Sequence, residues 1–84
     1  MSRVKMDWDW VKGYPIFVYT VWISPNKFDV KLVKGMKGNQ NAPGFGPKAP
    51  AWHQYTQSGY SSKDEVVKQA FKMARGFLKQ EGVR

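Results

Sequence analysis

Eight consecutive residues, Ile16-Phe17-Val18-Tyr19-Thr20-Val21-Trp22-Ile23, constrain this chain more than any other stretch. The run is β-branched and aromatic, so it reads as a strand, and it is far too short to span a bilayer. Side chains alternate along a strand. Ile16, Val18 and Trp22 therefore share one face, and Phe17, Tyr19, Val21 and Ile23 share the other. A strand that is apolar on both faces must be covered twice.

The flanking sequence indicates how. Ser24-Pro25-Asn26-Lys27 reads as a type I turn with Pro25 at its second position. Phe28-Asp29-Val30-Lys31-Leu32-Val33 then alternates, with Phe28, Val30 and Leu32 facing a core. A hairpin across 16–33 is expected. Upstream, Asp7-Trp8-Asp9-Trp10 places both acids on one side of an extended segment and both tryptophans on the other. Gly13-Tyr14-Pro15 interrupts this segment as a bend or bulge. Residues 52–57 read as a third, shorter strand.

The period then changes. Val67, Ala70, Phe71, Ala74, Phe77 and Leu78 recur at three- and four-residue spacing, an apolar stripe on a helix over 63–80. Ser62 and Glu65 form a capping-box pattern, Asp64 adds negative charge to the first turn, and Gly82 supplies a stop. Gly76 costs such a helix about 1 kcal/mol relative to Ala, for which close packing on the sheet is a reason.

The expected fold is α+β. It has a three-stranded antiparallel sheet, four-stranded if the N-terminal segment joins, with one C-terminal helix packed on one face (βββα). The helix covers one side of the central strand. Trp8 and Trp10, a second chain or a ligand would cover the other. One small domain spans 1–84, interrupted at 35–50, where seven of 16 residues are Gly or Pro. That stretch is expected to be a flexible loop.

Charge narrows the function. Fourteen Lys/Arg against six Asp/Glu give a formal +8, which favours a polyanionic partner. With one histidine, no cysteine and scattered acids, no nucleophile–base set or metal-ligand set can be assembled, so neither an enzyme nor a cofactor or metal is expected. Missing cysteine also fits a reducing, cytoplasmic setting, and the N-terminus has no signal-peptide pattern.

Lys68, Lys72, Arg75 and Lys79 fall at i, i+4, i+7 and i+11, a basic ridge opposite the apolar stripe. Such a ridge is either a phosphate-facing surface or a solvated helix face. Lys31 on the sheet and Lys37 and Lys48 in the loop would add phosphate contacts, and Trp52 and Tyr55 are candidates for base stacking. The loop's Gly44-Phe45-Gly46-Pro47-Lys48 lacks the spacing of a phosphate-binding P-loop.

Residues 55–70, from Tyr55-Thr56-Gln57 through Ser62-Lys63-Asp64-Glu65 to Ala70, resemble the strand-to-helix junction of three-strand-plus-helix DNA-binding domains of the AP2 and integrase-arm type. The resemblance implies a sheet whose face away from the helix enters the major groove. This chain departs from those domains in its long 35–50 loop, its Trp-rich N-terminus and its lack of Arg-rich strands. Double-stranded-RNA-binding domains share the strand order but begin with a helix and carry a basic cluster where this chain has only Lys63. Small phage and bacterial proteins of this layout are another home for it. A non-enzymatic nucleic-acid-binding module is thus expected, for DNA rather than RNA. A protein-interaction module, such as an inhibitor or adaptor docking its aromatic sheet face on an acidic protein surface, is the alternative. A homodimer is compatible with either.

Overall fold

Residues 4–40 and 50–83 are described by the computed structural model of the protein. Strands β1 (Val4–Val11), β2 (Tyr14–Ser24), β3 (Lys27–Lys34) and β4 (His53–Ser58) form one antiparallel sheet in the order β1-β2-β3-β4. Helix α1 (Lys63–Gln80) follows and packs on one face. The N-terminal segment does join the sheet as a fourth strand, at an edge beside β2.

Lys12 and Gly13 connect β1 to β2 with φ of 53° and 86°. Two positive φ values mark a type I′ hairpin turn, whose twist matches the strands. The break therefore lies one residue earlier than Gly13-Tyr14-Pro15 suggests, and Pro15 sits inside β2, buried. Its carbonyl accepts from Gly35 N, just past the end of β3, so its missing N–H also faces a ladder that is ending. At the next turn Asn26 has φ 67°, the sign required by type II rather than type I after Pro25.

The register brings Ile16, Val18 and Thr20 of β2 to the helix side together with Leu32 and Val30 of β3. These pack with Phe28, Val66, Val67, Ala70, Ala74 and Leu78, all buried. Each large side chain fully buried here contributes roughly 1.5–3 kcal/mol. Ala70 and Ala74 are fully buried, so the small side chains that let the helix approach the sheet are alanines. Gly76 is exposed with open space beside it, which removes close packing as its reason.

Caps define the helix. Ser62 Oγ accepts from Asp64 N at 3.2 Å. At the other end Gly82 N donates to Lys79 O and Val83 N to Leu78 O, a Schellman pair, while Val83 packs on the core. The helix starts over β1, where Lys5 meets Asp64, and ends over β3, where Lys34 meets Glu81.

The second face of β2 has its own cluster. Phe17, Tyr19 and Val33 are buried, with Met6 packed against them. Trp8 stacks on Phe17 with ring centroids 6.0 Å apart, and meets Trp10 edge-on at 5.7 Å. The N-terminal tryptophans thus contribute cover to this side, as their alternation suggests, yet remain 41% and 42% exposed. No helix packs there among the described residues.

Gly35 is the glycine that close approach requires: a Cβ there would lie 2.6 Å from Pro15 Cγ. Gly35→Ala is expected to lower stability by about 1–3 kcal/mol through overpacking. Gly76→Ala should raise it by roughly 0.8–1 kcal/mol, because that site has only a helix-propensity penalty. Urea unfolding followed by circular dichroism measures both. Equal effects at the two glycines would contradict this packing.

Candidate nucleic-acid interface

The placement of the six carboxylates determines where positive charge remains. Lys5 Nζ donates to Asp64 at 3.0 Å and lies 4.0 Å from Asp7. The bond to Asp64, then the charge of Asp7, hold the Lys5 pKa above its usual value. Asp9 accepts from the backbone N of Trp10 at 2.7 Å, and Asp29 from Thr56 Oγ1 at 2.9 Å. Glu65 stays in the first turn of the helix, where negative charge suits the macrodipole.

Glu81 forms a clamp. It accepts from Lys34 Nζ at 2.8 Å and from Trp52 Nε1 at 2.6 Å, joining the helix end to β3 and the start of β4. Those two bonds, the lysine's first, lower the Glu81 pKa. Lys34 also lies 5.2 Å from the ring centroids of both Tyr14 and Trp52. The carboxylate nearest in sequence to the basic ridge is therefore turned toward the sheet.

Lys68, Lys72, Arg75 and Lys79 are all exposed on the outer side of the helix. Among the described residues none of the four forms an ion pair. At 1.5 Å per residue the row is about 16 Å long. It can hold several backbone phosphates as point charges, Arg75 with the option of a bidentate grip.

The remaining candidates are dispersed. Lys31 is on the opposite side of the sheet from the helix, 5.8 Å from the Tyr19 ring centroid. Lys37 is exposed, its stem beside Gly13 at the β1–β2 turn. Lys48, with residues 41–49 of the expected loop and its Phe45, lies outside the described residues. The described start of that loop is fastened to the sheet, since Gly35 N donates to Pro15 O and Gly38 N to Gly13 O. The ridge and Lys31 thus occupy opposite sides of the molecule.

Trp52 and Tyr55 are placed with the core. Trp52 packs edge-on against Phe77 at 5.8 Å and His53 at 4.8 Å, while His53 stacks flat on Phe77 at 3.7 Å. Tyr55 pairs with Val30 on the helix side of β4. Its hydroxyl is buried without a hydrogen-bond partner, and burial, followed by the charge of Tyr60, pushes its pKa up to about 12. The aromatic residues with open surface are instead Trp8, Trp10 and Trp22. For Trp8 and Trp10 the signal was the Asp-Trp alternation, which separates the indoles from the acids.

Among the described residues no group of three or more His, Asp or Glu side chains could hold a metal ion. No described helix is long and apolar enough to cross a membrane. No protein-family model, curated protein or solved structure matches the chain. The resemblance of residues 55–70 to AP2- and integrase-arm-type domains therefore rests on those 16 residues alone.

Two titrations test these placements. A lowered Glu81 pKa means its clamp adds stability above the unfolded carboxylate pKa, and that this is lost as pH falls through the lower, folded value. Glu81→Gln should lower stability near neutrality and shrink the acid-side loss, read from urea midpoints between neutral and acid pH. An unchanged acid limb would mean the clamp is idle in solution. A raised Tyr55 pKa stabilises below its ordinary value of about 10, a contribution lost between there and about 12. Tyr55→Phe should remove that alkaline loss and cost less than about 1 kcal/mol at neutral pH, because no hydrogen bond disappears. A larger cost would reveal a partner for the hydroxyl.

Proposed function

We propose that this protein is a small, non-enzymatic nucleic-acid-binding module that grips backbone phosphates with the outer face of α1. The observation that carries the reading is the unpaired row Lys68, Lys72, Arg75 and Lys79, exposed together while the nearby Glu81 is engaged by Lys34 and Trp52. Four cations on one helix face, in a chain of net +8, raise the local potential toward a polyanion. Contacts of this type position a nucleic acid but carry little sequence information. DNA is the expected form, following the resemblance of the 55–70 segment. The protein-interaction reading draws on the exposed tryptophans and would use the same excess of positive charge.

Salt separates a phosphate grip from a solvated face. Four phosphate contacts give a log–log slope of affinity against salt of roughly −3.6 on duplex DNA. Reversing Lys68, Lys72 and Arg75 to Glu should flatten that slope by about 2.7 and weaken binding alike on unrelated sequences. The fold should survive, because all three side chains are exposed. Fluorescence anisotropy over a salt series measures this. A folded reversed variant that binds like the parent would make the ridge a solvated face. A parent that binds no nucleic acid at low salt would favour the acidic protein surface.

A further inference from the structure

The sheet face turned away from the helix has a composition of its own. The pleat assigns it Val4, Met6, Trp8 and Trp10 of β1, and Phe17, Tyr19 and Val21 of β2. From β3 and β4 come Lys27, Lys31, Val33, Asp29, Gln54, Thr56 and Ser58. Asp7 and Asp9 point to the helix side, opposite Val18 and Ile16. This face therefore carries Lys27 and Lys31 with Asp29 as its carboxylate, and Asp29 is bonded to Thr56. Lys37 lies beside Gly13, the residue after Lys12, at the turn just beyond Trp10.

Two indoles protrude here with more than a third of their surface open. A hollow of about 130 Å³ lies beyond them, lined by Val4, Tyr19, Val21, Asp29, Lys31 and Gln54. That is close to the volume of a cavity that accommodates one benzene-sized ring. Flat apolar surface, a ring-sized hollow and flanking cations match a ligand that offers planar rings on an anionic backbone. A second copy of this chain fits poorly, since two surfaces of the same positive sign would meet. Reading of duplex base edges fits poorly as well. The face offers Lys27, Lys31 and Gln54 for groove readout but lacks the arginine fork that most often reads guanine, since no described strand carries an arginine. Indoles engage the faces of bases, which stacking hides within a duplex.

We propose that this face stacks unpaired bases on Trp8 and Trp10, so that the ligand is single-stranded nucleic acid. The inference rests on the nucleic-acid reading above and deepens it: the helix ridge supplies phosphate contacts, and the sheet supplies base contacts. A flexible strand can engage both sides of this two-layer molecule, whereas a duplex, stiff over about 150 base pairs, meets one.

The test compares three probes at one salt concentration: an oligothymidylate of about 16 nucleotides, an abasic strand of the same length, and a duplex. The parent should bind the oligothymidylate about 5- to 100-fold more tightly than the abasic strand, with quenching of tryptophan emission. Trp10→Ala, which removes a ring whose described aromatic contact is Trp8, should erase much of that preference and leave duplex affinity within about twofold. Adding Trp8→Ala should erase the remainder. The Lys68, Lys72 and Arg75 reversal should instead weaken all three probes together. Equal affinity of the parent for the oligothymidylate and the abasic strand overturns the stacking proposal and leaves the phosphate grip standing. A tryptophan variant that loses all three probes in parallel overturns it too. A parent that binds none of them at low salt overturns both readings and leaves the face to an acidic protein.

Discussion

Phe17 and Val18 are neighbours on one strand, point to opposite sides of the sheet, and are both buried. That constraint organises the molecule. Val18 and Ile16 require the helix, whose Ala70 and Ala74 permit contact with β2. Phe17, with Tyr19 and Val33, requires neighbours on the other side, and β1 delivers Met6 and Trp8. Antiparallel pairing of β1 with β2 therefore does more than add backbone hydrogen bonds. It brings the Asp-Trp alternation into phase with β2, so that acids lie toward the helix and indoles away from it.

The electrostatic layout follows from the same phase. Once β1 presents Lys5 on the helix side, that lysine reaches Asp64 at the helix start. At the far end Glu81 is held by Lys34 and Trp52. These exposed pairs add little to stability one by one. Their main effect is on where charge remains. The pairs Lys5–Asp64 and Lys34–Glu81 bridge the helix ends to the sheet. Lys68, Lys72, Arg75 and Lys79 are left on the outside of the helix, and Lys27 and Lys31 on the outside of the sheet. A chain of +8 thus carries positive side chains on two opposite surfaces, one of which also carries exposed indoles.

Much of the fold was legible because it rests on local periods. Alternation located the hairpin and marked the N-terminal segment as extended, and the three- and four-residue spacing located the helix. Details set by tertiary contact were not. Lys12 at φ 53° has no composition signal for a type I′ turn, since lysine rarely occupies that region. The spacing of small residues could not tell Gly76, which faces solvent, from Gly35, which lies against Pro15. In the candidate site the ridge was readable, because helix geometry fixes which residues share a face. Trp52 and Tyr55 read as stacking platforms, because residue type alone does not say which face of a short strand is covered. Only the register of β4 against β3, set by long-range pairing, turns Tyr55 toward the helix and brings Trp52 to Phe77 and Glu81. Trp8 and Trp10 stood out as cover for β2, and their remaining exposure depends on what lies above them, which no local pattern encodes.

The helix ridge and the indole face make different contacts with one strand, and a nitrogen–proton correlation titration with a short oligothymidylate tests this residue by residue. The indole Nε1–H signals of Trp8 and Trp10 should shift together with amides along 68–79, while those of Trp52 and of the buried helix positions stay fixed. As salt is raised, the 68–79 shifts should fade before the indole shifts, because screening weakens phosphate contacts more than stacking. Shifts confined to 68–79, or indole shifts that vanish in step with them, would contradict the assignment.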